Sequence, residues 1–259
     1  MVSPQSDLIA AAHTARQNEI TQKAIQLVVG HWAIETAAPS SDLGASFARW
    51  LAQAVPVILM ARDFSARAAH AYYTTQRSFE LPGEPEFKLP LIDDIDPQAI
   101  STSLWVTGPD RVKKGTPPEE VVKTIEGATT RHTMNGGRET IEGARELDKK
   151  LVGFFREINS ANPCYFCVML ASRGVVFDEA SFDSSDPRFT GPGNAKVHDE
   201  CACWNRPSYQ AGELFPGQTG LYRDLWLSQP KPRPGEDPVN EWRRFYEGRA
   251  GEISFELAS

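Results

Sequence analysis

Cys164-Tyr-Phe-Cys167 and, after a 30-residue excursion, His198-Asp-Glu-Cys201-Ala-Cys203 are the stretches on which the reading of this chain turns. They hold all four cysteines of the 259-residue sequence and one of its five histidines. Two close groups of soft ligands separated by a long loop are the sequence trace of a tetrahedral zinc site. The loop itself, residues 168–197, begins apolar and turns polar around Gly191-Pro192-Gly193, with little to form a core. A crosslink at its base would hold together what packing alone could not. The expected ligands are Cys164, Cys167 and His198 with either Cys201 or Cys203; spacing does not choose between the last two.

Outward from this knot the chain reads as mainly helical. Upstream, Ile141, Ala144, Leu147, Leu151, Phe154, Phe155 and Ile158 form one stripe, which predicts a helix over 138–158. Asn135-Gly136-Gly137 predicts an interruption before it, and Thr116-Pro117-Pro118-Glu119-Glu120 predicts a helix start with a hydroxyl cap, carrying the chain to about Thr133. Residues 101–107 (STSLWVT) are β-prone and predict a strand. At the N-terminal end, Ile20, Ala24, Val28 and Trp32 predict a long helix over 7–36. After a break at 38–42 a second helix runs over about 42–78, with Pro56 expected to kink or split it. Residues 80–98 read as an acidic, proline-interrupted linker or surface loop. Downstream of Cys203, proline, glycine and aromatics predict a chain that wraps without long elements. Pro230 to Pro234 is then a stiff tether, and Asp237-Pro238 starts a short helix bearing Trp242, Phe245 and Tyr246.

A net charge of −7 argues against nonspecific nucleic-acid binding, which needs lysine and arginine to displace counterions. The N-terminal residues do not form a charged segment followed by an apolar run, so no secretory signal is expected. The longest apolar stretch, Ala52 to Ala61, is interrupted by Gln53 and Pro56 and is too short to span a bilayer. The expectation is a soluble protein made in a reducing cytoplasm, where thiols at this spacing are metal ligands more often than disulfides.

The same residues admit other chemistries. Pro163-Cys-x-x-Cys167 and His198-x-Glu200 are the half-motifs of the zinc deaminases, but here in the opposite order, so a circular permutation would be needed. Cys164 with His198 or His132 could form a thiol-protease dyad, although a catalytic thiol is normally alone. There is no G-x-S-x-G elbow, and Gly136-Gly137 is not followed by the Lys-Ser/Thr of a phosphate loop. His13, His31 and His70 read as surface or packed side chains, and Arg131, His132, Arg138 and Glu139 as helix-end polar chemistry.

The run Asn162-Pro-Cys-Tyr-Phe-Cys-Val-Met-Leu-Ala-Ser-Arg-Gly174, closed by Val197-His-Asp-Glu-Cys-Ala-Cys203, resembles minor head proteins of tailed phages infecting actinobacteria. These are similar to the wider Mu F-like head-morphogenesis group. Asn135-Gly-Gly-Arg-Glu-Thr140 resembles the run such proteins carry upstream, and the resemblance spans about residues 115–210. It implies a few-copy head component acting in assembly or in DNA packaging and delivery, with a structural zinc on Cys164, Cys167, His198, Cys201 and Cys203. Relatives are sometimes described as capsid maturation proteases. That activity, and a zinc-stapled interaction module outside phage, are the alternative functions; no catalytic residue is assigned.

The fold expected is mainly α, with long N-terminal helices and a small α+β zinc-stapled C-terminal region. The expected segments are a helical arm over 1–80, the linker over 81–99, a Mu F-like α+β domain over 100–210 and an extended tail over 211–259. The partners implied are portal or major capsid protein, with self-association left open and neither membrane nor direct nucleic-acid contact. The location implied is the virion head, after assembly in the host cytoplasm.

Overall fold

The computed structural model describes residues 3–37, 42–91, 95–160, 162–176, 198–199, 201–230, 235 and 237–249. The break at 38–41, the 177–197 loop, Glu200 and the 231–234 tether therefore lie outside the described residues. The chain is mainly α. Two long helices, α1 (Pro4–Ala37) and α2 (Leu43–Glu80), are followed by α3 (Pro97–Thr107), α4 (Pro109–Lys113), α5 (Pro118–Glu142) and α6 (Ala144–Leu147). Then come β1 (Gly153–Glu157), α7 (Tyr165–Ala171), β2 (Trp204–Ser208), α8 (Thr219–Leu227) and α9 (Pro238–Gly248). Strands β1 and β2 pair antiparallel, with Phe155 opposite Arg206.

Helices α1, α2 and α5 pack on one another. Asp42 caps α2, accepting a hydrogen bond from the Ala45 N–H at 3.0 Å. One end of the core holds Val28, Trp32, Phe47, Trp50 and Ile58 with Ile100 and Leu104 of α3 and Ile125 of α5. The other end joins Tyr72, Tyr73 and Ile141 to Phe154 of β1 and Trp204 of β2. By length and hydropathy α2 alone among the described helices could cross a membrane. It nevertheless carries Arg62, Gln76 and Arg77 as buried side chains against its neighbours. It runs through Pro56 as one helix.

Four sequence expectations are corrected. Residues 101–107 are helical: Asp96 caps the Gln98 N–H at 2.8 Å and Pro97 sits in the first turn, so capping outweighs the β-propensity of Thr, Trp and Val. The α5 helix begins at Pro118 without a side-chain cap and continues past Thr133 through Asn135-Gly-Gly to Glu142. The two glycines are there because α2 crosses at that point. A Cβ on Gly136 would lie 2.1 Å from the Arg62 carbonyl oxygen, and one on Gly137 would lie 2.9 Å from Ser65 Oγ. The stripe over 138–158 is divided between the end of α5, α6 and β1. Asp148 stops α6, accepting from Tyr73 Oη at 3.0 Å and Arg77 Nε at 2.8 Å, and Phe154 and Phe155 are buried on the two faces of a strand instead of one face of a helix. Finally, the segment after 211 carries α8 besides the short helix α9 expected from Asp237-Pro238, and Tyr222, Trp242 and Tyr246 of the two are buried against α7.

The proline-rich stretch before α3 has no regular element in its described residues, but it is pinned. Arg77 donates to the Pro85 carbonyl at 2.9 Å and lies over the Phe87 ring, and Leu89 is buried.

Candidate metal centre

Each ligand expected from sequence is positioned by a separate local device. Cys164 occupies the N-cap of α7, and its sulfur accepts the Cys167 N–H at 3.3 Å. A sulfur here does what a serine oxygen does at other helix starts, satisfying one of the four orphan N–H groups. Cys167 then sits one turn into α7 and is buried. The return arm makes a turn in which the Cys201 N–H donates to the His198 carbonyl at 3.2 Å, and Cys203 leads directly into β2.

The four thiols and the imidazole come together as two overlapping triads, Cys164/Cys167/His198 and Cys167/Cys201/Cys203, with donor atoms within 4.8 Å of one another in each. Cys167 is common to both. Its Sγ is 3.5 Å from that of Cys201, and His198 Nε2 is 3.1 Å from Cys164 Sγ. Thiolates sharing one zinc at about 2.3 Å stand about 3.8 Å apart, so the donors already lie near the spacing a tetrahedral ion imposes. None of the four cysteines is in a disulfide. Three are almost fully buried, while Cys164 and His198 are half-buried at the edge.

Two buried arginines frame the cluster, and the sequence reading missed both roles. Arg156 of β1 directs Nη2 at the sulfurs of Cys167 and Cys201, 3.7 Å from each. Arg138, read from sequence as helix-end polar chemistry, instead crosses from α5 and donates to the carbonyls of Cys203 (2.9 Å) and Cys201. Nothing in the spacing marks either residue; only the crossing of α5 and the strand pairing bring them here. At the edge, Arg131 grips Asp199 at 2.5 Å and Ser103 Oγ at 2.9 Å, and the Asp199 carbonyl meets His198 Nδ1. This contact fixes the ring with Nε2 towards Cys164.

The electrostatics are those of crowded acids in a dry site. Hydrogen bonds from Cys164, Cys201 and Cys203 hold the Cys167 thiol well below its usual range, with help from Arg156. The Cys164 thiol is pushed up by its hydrogen bond to Cys167 and by burial. Cys203 is pushed up by its bonds to Cys167 and Cys201 and then by burial. Burial pulls the His198 imidazolium down, but the hydrogen bond and charge of Cys167 outweigh it and leave the ring above its usual value. In a dry site one thiol gives up its proton more readily at the expense of Cys164 and Cys203, which hold their protons more tightly. A divalent cation would replace those protons, so the donor set is one that could bind a metal ion.

The remaining histidines stand elsewhere. His13 is buried between Tyr72 (4.5 Å) and Trp204 (4.7 Å). His132 is buried beside Arg62 and belongs to neither triad. Of the proposed dyads, only Cys164 with His198 is brought together.

A family model described as VG15 protein matches residues 4–224. No curated protein and no solved structure matches the chain significantly.

Proposed function

The chain belongs to the VG15 protein family and is a phage protein, and from that premise we propose that it is a structural component of the phage head, a minor capsid protein of the head-morphogenesis kind. In this reading its long helices α1 and α2 contact portal or major capsid subunits in assembly or DNA packaging, and a zinc ion staples the C-terminal region. The protein resides in the virion head after assembling in the host cytoplasm. The observation that carries the structural role is the buried cluster itself: Cys164, Cys167, His198 and one of Cys201 or Cys203 would hold the ion, which ties α7 to the segment entering β2. Zinc supplies a redox-inert crosslink that replaces the thiol protons. Arg156 offsets the charge of the resulting thiolates, while Arg138 and Arg131 hold the backbone that presents them.

The 3.1 Å approach of His198 Nε2 to Cys164 Sγ also suits a second reading, a thiol maturation protease. Against it, the Cys164 thiol is pushed up rather than activated, and the neighbouring cavity lined by Arg131, His132 and Asp199 does not include Cys164.

Metal analysis of the purified protein together with co-purification against portal and capsid subunits tests the proposal. About one zinc per chain and stoichiometric recovery in purified heads are expected. A folded, metal-free protein would remove the staple. Cleavage of capsid or scaffold protein that is lost in a folded Cys164→Ala variant would favour the protease instead.

A further inference from the structure

We propose that Trp242 and Tyr246 of α9 are positioning residues for the Cys164 ligand, so that the C-terminal helix acts as a clamp on the metal-binding turn. This inference rests on the zinc reading above. The residues before and after Cys164 each present a carbonyl to α9, which reaches both. The Tyr246 hydroxyl donates to the Pro163 oxygen at 2.8 Å, and the Trp242 indole N–H donates to the Tyr165 oxygen at 2.7 Å. The two donors lie four residues apart, hence on one face of α9, and both side chains are buried. Together they hold the peptide that enters Cys164 and, one residue beyond it, the Tyr165–Phe166 peptide, so the backbone that carries Cys164 is gripped at both ends and with it the direction of its sulfur. That matters most at this ligand. Cys167, Cys201 and Cys203 are almost fully buried, whereas Cys164 is half-buried and meets His198 at the edge.

The rest of α9 serves the same contact. Asp237 caps its first turn through the Val239 N–H at 2.7 Å, and Trp226 of α8 packs on the Trp242 ring at 5.0 Å. All of α9 lies beyond residue 224, where the family match ends. The clamp is therefore carried by a part of this chain that the family model does not match.

The test compares full-length protein with Tyr246→Phe, Trp242→Phe and the double variant, all loaded with zinc. The readout is the rate of zinc release to a chromophoric chelator, with far-ultraviolet circular dichroism to confirm that each is folded. Phe245→Leu serves as a packing control, because it trims a ring that packs on Trp242 at 5.8 Å while keeping both hydrogen-bond donors. Hydrogen bonds made directly to metal ligands are worth about 10- to 100-fold in affinity, and these two act one residue away, so the folded double variant should release zinc about tenfold faster, with Phe245→Leu close to the parent. Tyr246→Phe keeps the ring and its packing, so it carries the test alone if Trp242→Phe does not fold. Unchanged release in the hydrogen-bond variants, or equal acceleration in Phe245→Leu, overturns the clamp and leaves the zinc site standing. Parent protein that binds no zinc overturns both.

Discussion

Replacing Gly136 by Ala should destabilise the protein even though alanine is the better helix former. The new methyl carbon would sit 2.1 Å from the Arg62 carbonyl oxygen and 2.8 Å from Arg62 Cγ, and the first of these partners is backbone that cannot rotate away. Relief requires α5 and α2 to part by about 1 Å, a displacement typical of overpacked cores and costing about 1–3 kcal/mol. The same movement strains the bond from the Gly137 N–H to Ser65 Oγ (3.0 Å) and the Gln17–Ser65 pair behind it, adding about 1 kcal/mol per lost bond. Against this, Gly→Ala within a helix gains about 1 kcal/mol. The net expectation is a loss of about 2–3 kcal/mol. Gly30 supplies the internal reference. It lies in α1 with nothing within 4 Å of a Cβ, so Gly30→Ala should gain about 1 kcal/mol. Urea denaturation followed by circular dichroism, with the two variants compared at equal m-value, reads both numbers. If Gly136→Ala proves neutral, or stabilises as Gly30→Ala does, the close crossing of α2 and α5 is wrong.

Three further outcomes are expected. Asp148→Asn should cost about 3 kcal/mol in urea denaturation, because it leaves the Arg77 guanidinium, buried with only 8 % of its side chain exposed, without its counter-ion. His13 and His132, both held by burial near a pKa of about 3 against 6.5 when exposed, take up a proton chiefly on unfolding. Stability should thus be intact above pH 6.5 and fall as the pH drops from there towards 3, by about 2 kcal/mol per histidine at pH 5. A folded His13→Leu variant whose pH 7-to-5 loss equals the parent's would refute that assignment. Cys167→Ser should lower bound zinc more than Cys203→Ser in metal analysis, since Cys167 alone belongs to both triads; equal zinc retention in the two would count against its central place.

Much of this architecture was legible because its signals are local. The periodic residues of α1 and α2, the Asp42 and Asp237 caps and the two ligand-bearing turns all depend on neighbours a few positions away. What escaped depends on contacts between distant segments. Gly136 and Gly137 read as a helix break until α2 is seen lying across them. Leu151, Phe154 and Phe155 fit a helical stripe as well as a strand, because a short apolar run satisfies either period; pairing with β2 decides it. The STSLWVT segment follows its cap and proline, which a propensity scale does not weigh. At the candidate metal centre the cysteines and His198 that come together were visible from spacing, but Arg156, Arg138, Trp242 and Tyr246 reach them from 11 to 83 residues away in sequence and carry no motif.

Three consecutive positions of α5 face in two directions. Gly136 and Gly137 abut Arg62 and Ser65 of α2, and the next side chain, Arg138, holds the carbonyls of Cys201 and Cys203. A single helical turn thus joins the N-terminal helices to the cysteine-bearing segment. Any displacement of α2 against α5 at this crossing is therefore transmitted, through Arg138, to the backbone behind two thiols.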